Sequence, residues 1–188
     1  MSQADQKSLR LFLALWPDQT LREAIHNCSN ELLVAQQDWH GRLVDKRNLH
    51  MTLAFLGSVA TDRLDCIKKA AASLCWQAFT LQLDQPGFWD RARVAWLAPT
   101  DIPQQLTDLE QQLRRSLVTC GFAQQQRDYH PHVTLARKCR APESSDVPAP
   151  LQQSLVWEVN NLVLVSSVTD PAGVRYEVIG RWQPDKTS

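Results

Sequence analysis

His-x-Thr-Leu occurs twice in this chain, as His50-Met51-Thr52-Leu53 and as His132-Val133-Thr134-Leu135. Each copy sits in an apolar run that reads as a β-strand. Side chains two apart on a strand leave from the same face, so each copy offers an imidazole beside a hydroxyl. A pair of histidines can supply one general base and one general acid near neutral pH, and threonine hydroxyls can donate hydrogen bonds to negative oxygens. Placed side by side, two such strands would surround one small anion. The chemistry that suits these residue types is proton transfer at a phosphate, with no metal.

Strand alternation sorts the neighbours. In the first copy His50, Thr52 and Ala54 share one face, with Met51, Leu53 and Phe55 on the other; in the second, His130, His132, Thr134 and Ala136 lie opposite Val133 and Leu135. The alanine after each threonine leaves room for a ligand. A third imidazole also opens a metal reading through His50, His130 and His132. Neither motif strand carries an Asp or Glu to orient the rings or ligate an ion, which disfavours that reading and leaves His130 supporting or solvated. Ordinary strand histidines are the plainest alternative, and two copies in matching contexts argue against it.

The composition sets bounds on the partners. Twenty basic and twenty acidic residues give a formal charge of zero, so any nucleic-acid contact is local, to a strand end or a small nucleotide. The 188 residues, 44% hydrophobic, suffice for one globular unit or two small lobes sharing a core. No run approaches the roughly 20 apolar residues of a membrane span, and no secretory signal is legible, so a cytoplasmic protein is expected. The five cysteines are scattered, with no CxxC pair, and read as buried free thiols.

Around the motifs, the sequence predicts strands over Ser8 to Trp16, Asn48 to Leu56, Phe79 to Asp84, Arg93 to Ala98, His132 to Arg137, Leu155 to Val168 and Val174 to Trp182. Apolar periodicity predicts helices over Thr20 to Gln37, Thr61 to Trp76 and Pro103 to Cys120. Gln85-Pro86-Gly87 reads as a connection, Cys139 to Pro150 as a loop, and Asp170-Pro171-Ala172-Gly173 as a turn. Both halves run helix then motif strand, consistent with an ancient duplication. The fold class is α+β, mainly antiparallel sheets with helices on their outer faces and the motif strands lining a groove.

These residues resemble the two-histidine (2H) phosphoesterases, and among them the bacterial RNA 2',3'-cyclic phosphodiesterases, formerly called 2'-5' RNA ligases. The matching text is Arg10-Leu11-Phe12-Leu13-Ala14, the run NLHMTLAFLG from Asn48 to Gly57, and the run HPHVTLAR from His130 to Arg137. Weaker matches are Trp89, Arg93 to Leu97, and Ser166-Ser167 followed by Tyr176. The resemblance implies a single bilobal, pseudo-twofold domain over residues 1–188, with the two HxT motifs facing each other across a central groove.

It also implies hydrolysis of a terminal 2',3'-cyclic phosphate to a 2'-phosphate, with His50 as acid and His132 as base, an order the sequence leaves open. Thr52 and Thr134 would hold the non-bridging oxygens, Arg137 would face the phosphate, and Phe12 and Arg10 are further candidates for substrate binding, Phe12 by stacking a base. Trp89 and Trp96 share that ambiguity between stacking and core. A strained cyclic phosphodiester needs no nucleoside triphosphate to open, and the chain has no GxxxxGK[ST] loop, so neither cofactor nor metal is expected. One neutral and one charged imidazole predict a bell-shaped kcat/KM with limbs flanking neutrality. The alternatives are ATP-independent 2'-5' ligation at the same site and a module that binds RNA ends without turnover. RNA ends or nucleotide 2',3'-cyclic phosphates are the expected partners, with no membrane, and the absence of a heptad run predicts a monomer.

Overall fold

The two motif strands are hydrogen-bonded neighbours in one sheet. In the computed structural model, which describes residues 8–35, 41–123, 128–140, 148–170 and 173–185, the elements run β1 (Ser8–Leu15), α1 (Gln19–Ala35), β2 (Arg42–Leu43), β3 (Met51–Ala60), α2 (Leu64–Ala72), β4 (Phe79–Leu83), β5 (Gln85–Trp89), β6 (Val94–Ala98), α3 (Gln104–Val118), β7 (Val133–Arg137), β8 (Leu155–Val159), β9 (Leu162–Asp170) and β10 (Gly173–Trp182). The main sheet is antiparallel in the order β10-β9-β1-β3-β7-β6-β5, with β2 also paired to β7, and β4 and β8 form a second sheet of two strands. The architecture is α+β, as the alternation of apolar runs predicts.

Alternation along β1 shows how the core forms. Leu11, Leu13 and Leu15 enter the main apolar cluster, while Phe12, Ala14 and Trp16 face the other way and join Val163 and Val165 in a second one. Both faces of β1 are therefore buried, which suits a strand in mid-sheet. Leu106, Leu109, Leu113 and Leu117 form one stripe of α3 and meet Met51, Leu53, Val133 and Leu135 in the main cluster, with Leu21 and Ile25 of α1 and Ile67 of α2. Glu110 falls on that buried side at 5% exposure and is neutralised by Arg114 one turn later.

Several expectations need correction. Gln85-Pro86-Gly87 is strand, with Pro86 opposite Leu97 and Gly87 opposite Trp96. Proline is tolerated there because β5 is an edge strand. The run Leu155 to Val168 is two strands broken at Asn160-Asn161, and β8 and β9 belong to different sheets. The second helix ends at Ala72, although Leu74 and Trp76 remain in the core. Cys66 and Cys120 form a disulfide between α2 and the turn after α3, while Cys75 is exposed; residues 54 apart carry no local signal of such a pairing. Gln36 and Gln37 of the first predicted helix, residues 141–147 of the loop, and Pro171 and Ala172 of the turn lie outside the described residues.

Gly87 is required by close approach. A Cβ built on it would lie 2.1 Å from the Trp96 ring, which rests on its bare backbone. Gly87→Ala is expected to destabilise the fold by about 1 to 3 kcal/mol, the usual cost of overpacking, measured as a lower urea midpoint at unchanged slope.

Candidate active site

The middle residues of the two motifs, Met51 and Val133, are register partners across β3 and β7. In an antiparallel pair this sets His50 and Thr52 of one strand against Thr134 and His132 of the other, around a local twofold. The four chemistry-bearing side chains named from the sequence are thereby brought together, opposite the face that Met51, Leu53, Val133 and Leu135 bury.

Each imidazole is oriented the same way. His50 Nδ1–H donates to the Asn48 carbonyl at 2.6 Å, and His132 Nδ1–H to the His130 carbonyl at 2.8 Å. A carbonyl only accepts, so Nδ1 carries the proton and Nε2 of the neutral ring has a free lone pair. Thr52 Oγ1 lies 3.1 Å from His50 Nε2 and donates to it in that state. Asn48 is itself fixed, at the end of a turn capped by Asp45 and with its side-chain amide donating to the Val174 carbonyl at 3.0 Å. His130, expected on the His132 face, precedes the strand, is exposed, and serves the site through its backbone.

Aromatic rings wall the histidines. The His50 ring lies 4.8 Å from Phe12, 5.5 Å from Trp16 in a near-parallel stack, and 5.3 Å from Tyr176 edge-on. Trp89 meets His132 edge-on at 4.5 Å and also packs on Trp96. Burial is the main reason that His50 is lowered to about 4 and His132 is also lowered, with Arg137 adding to both. Phe12, only 2% exposed, presents its ring to His50 and not to an open groove. The sequence puts Trp16 in a predicted strand with nothing to connect it to His50; the contact depends on how β1 meets β3.

Arg137 reaches the site through a bulge. Alternation alone puts it on the core face with Val133 and Leu135. Yet β6 pairs Trp96 with Thr134 and Ala95 with Ala136, so Leu135 is an extra residue and the strand changes parity there. Arg137, opposite Val94, shares the face of Thr134, while Ala136 turns inward against Ala95 and Cys139. The same bulge follows Thr52: Ala14 pairs with Thr52 and Leu13 with Ala54, leaving Leu53 extra. The expectation that Ala54 and Ala136 leave room beside the threonines is therefore corrected. The twofold counterpart of Arg137 is Phe55, 49% exposed, with the Arg10 guanidinium 4.9 Å over its ring.

Among the described residues no three His, Cys, Asp or Glu side chains gather closely enough to hold a metal ion. A cavity of about 240 Å³ between β3, α3 and Phe122 is lined by neither histidine. No helix among the described residues is long and apolar enough to cross a membrane.

Known proteins resemble this chain over most of its length. A protein from Escherichia coli (strain K12) named RNA 2',3'-cyclic phosphodiesterase is 36% identical over 144 residues, 76% of this chain and 79% of that protein. One of the same name from Archaeoglobus fulgidus is 27% identical over 175 residues, 90% of this chain and 97% of its own. The crystal structure of E. coli LigT complexed with 3'-AMP superposes with a TM-score of 0.83 at 30% identity, covering 96% of this chain and 100% of that one. The family model of the 2'-5' RNA ligase superfamily matches residues 17–171, from just after β1 to just past β9 and through both motifs. With that much of its length and fold in common, the chain belongs to the 2'-5' RNA ligase superfamily.

Proposed function

We propose that this protein hydrolyses RNA 2',3'-cyclic phosphate ends to 2'-phosphates, without a metal, using His50 and His132 as its acid–base pair. The observation that carries this reading is the Met51–Val133 pairing, which sets the His50 and Thr52 positions opposite those of Thr134 and His132. The names of the relatives from E. coli and A. fulgidus support the substrate class.

In this reading His132 Nε2 takes a proton from water, whose oxygen attacks phosphorus. The bond from phosphorus to the 3' oxygen breaks, and that oxygen takes the proton from His50 Nε2, leaving a 2'-phosphate and a 3'-hydroxyl. Exchange with solvent then resets both rings. Release of ring strain drives the opening. Burial keeps both rings neutral at pH 7 in the free protein, so His50 gains its proton as the anionic phosphate arrives. Once Nε2 is protonated, the Thr52 hydroxyl is released from it and turns to a non-bridging oxygen, with Thr134 at the other. Arg137 neutralises the phosphate; Phe12 holds His50, and Arg10 with Phe55 borders the groove.

A hydrogen bond to a charged group contributes roughly 1.5 to 3 kcal/mol. Thr52→Val and Thr134→Val should therefore each lower kcat/KM about ten- to a hundredfold, with little change in thermal midpoint. We place the protein in the cytoplasm as a monomer whose whole chain works as one bilobal unit; a sedimentation coefficient that rises with concentration would refute the monomer.

The decisive assay supplies an RNA with a 2',3'-cyclic phosphate end and a second RNA with a 5'-hydroxyl, in the presence of chelator. A 2'-phosphate product supports the hydrolase. A 2'-5' linked product points to ligation instead, activity that returns only with added zinc points to a metal, and binding without turnover removes the enzyme reading.

A further inference from the structure

Beyond the two motifs, the face of β7 that carries Thr134 continues to a pair of like charges. After the Met51–Val133 pair the neighbour of β7 becomes β2, with Leu43 opposite Ala136 and Arg42 opposite Arg137. Leu43 and Ala136 pack inward together, so Arg42 and Arg137 stand on the opposite face, the one that carries Thr134. Both are exposed, and among the described residues neither has a carboxylate partner. Like charges directly opposite each other on a sheet are destabilising, so a pair of this kind is expected where an anion joins it. Arg93, held with its Nε on the Cys139 carbonyl, and the exposed Lys138 and Arg140 lie at the same strand end. Asp90, in the turn before β6, is the nearby acid of that segment. Among the described residues, a chain with no net charge thus gathers cations at one end of β7.

We propose that Arg42 binds the phosphodiester that precedes the terminal nucleotide, so that this protein favours an RNA strand over a mononucleotide 2',3'-cyclic phosphate. This rests on the hydrolase reading above and extends it. Arg137 serves the reacting phosphate, and Arg42, one strand further along the same face, meets the next one. A mononucleotide has no such phosphate and leaves Arg42 unused. The guanidinium suits the role through its planar, permanently charged fork.

The test compares wild type, Arg42→Gln and Arg42→Lys on a mononucleotide 2',3'-cyclic phosphate and on a short oligoribonucleotide ending in one, at several salt concentrations. In Arg42→Gln the ratio of oligonucleotide KM to mononucleotide KM should rise about tenfold or more. The slope of log affinity for the oligonucleotide against log salt should become shallower by about 0.7, one single-strand phosphate contact. Arg42→Lys should keep the wild-type slope. An unchanged ratio, or an equal rise for both substrates, overturns the proposal. Should wild type turn over neither substrate, anisotropy of a labelled oligonucleotide with a 2'-phosphate end still reads the salt slope. The hydrolase reading then falls alone if the slope change persists, and both fall if it is absent. Should Arg42→Gln lose its fold by circular dichroism, the Arg42→Lys comparison is joined by Arg42→Glu, with a larger rise in the same ratio expected.

Discussion

Turnover of an RNA 2',3'-cyclic phosphate is expected to fall by about 10² to 10⁴-fold in His50→Ala and similarly in His132→Ala, the range that general acid–base catalysis supplies. The double variant should fall barely further than the worse single one. The two rings act on one proton-transfer sequence: without the acid, the base acts on an attack that cannot expel its leaving group, and without the base the acid has no nucleophile to serve. Single-turnover rates of the three variants check this. Multiplicative losses would mean that the imidazoles contribute independently, and a loss in only one variant would leave a single catalytic histidine. Because His50 packs on Phe12, Trp16 and Tyr176, His50→Asn should accompany the alanine variant, so that a lower rate is separated from a cavity beside those rings.

The second large effect is on pH dependence, where the burial of both rings shifts the expected limbs away from the flanks of neutrality. Burial disfavours the charged form of each ring and the Arg137 charge adds to it, so His50 loses its proton at about 4 and His132 below its ordinary 6.5. The profile of kcat/KM reports the free enzyme, and its bell should therefore lie on the acid side of neutrality. Above the upper limb the singly protonated pair disappears, and kcat/KM should fall about tenfold per pH unit. The profile of kcat reports the loaded enzyme, where the phosphate's negative charge favours both protonated rings, so that bell should move to higher pH. Superimposable profiles, or a kcat/KM still rising at pH 8, would remove the buried acid–base pair.

The same shift gives a stability effect of determined sign. The unfolded chain protonates His50 near 6.5 and the folded chain only near 4, so between those values the unfolded state binds more protons. The stability associated with a neutral, buried His50 is complete above pH 6.5 and is lost as pH falls through 4, by roughly 3 kcal/mol. Denaturant midpoints of wild type should drop more steeply over that interval than those of His50→Asn.

The class of fold and the candidate chemistry are both legible in local stretches of sequence. Two copies of His-x-Thr-Leu are local text, and the apolar periods that predict β1, β3, β7 and α3 are local as well, because which way a side chain points along a regular strand or helix depends only on its position. Partnership is not local. That Met51 lies opposite Val133, that Pro86 belongs to a strand, that Cys66 meets Cys120, and that Trp16 stacks on His50 all depend on which segments become neighbours. Arg137 shows the difference most directly. Its place in the motif marked it as a candidate, yet regular alternation would have turned it into the core. The bulge at Leu135 exists only in register with β6, and by inserting one unpaired residue it reverses the faces of everything after it, turning Ala136 inward and Arg137 out onto the face of Thr134.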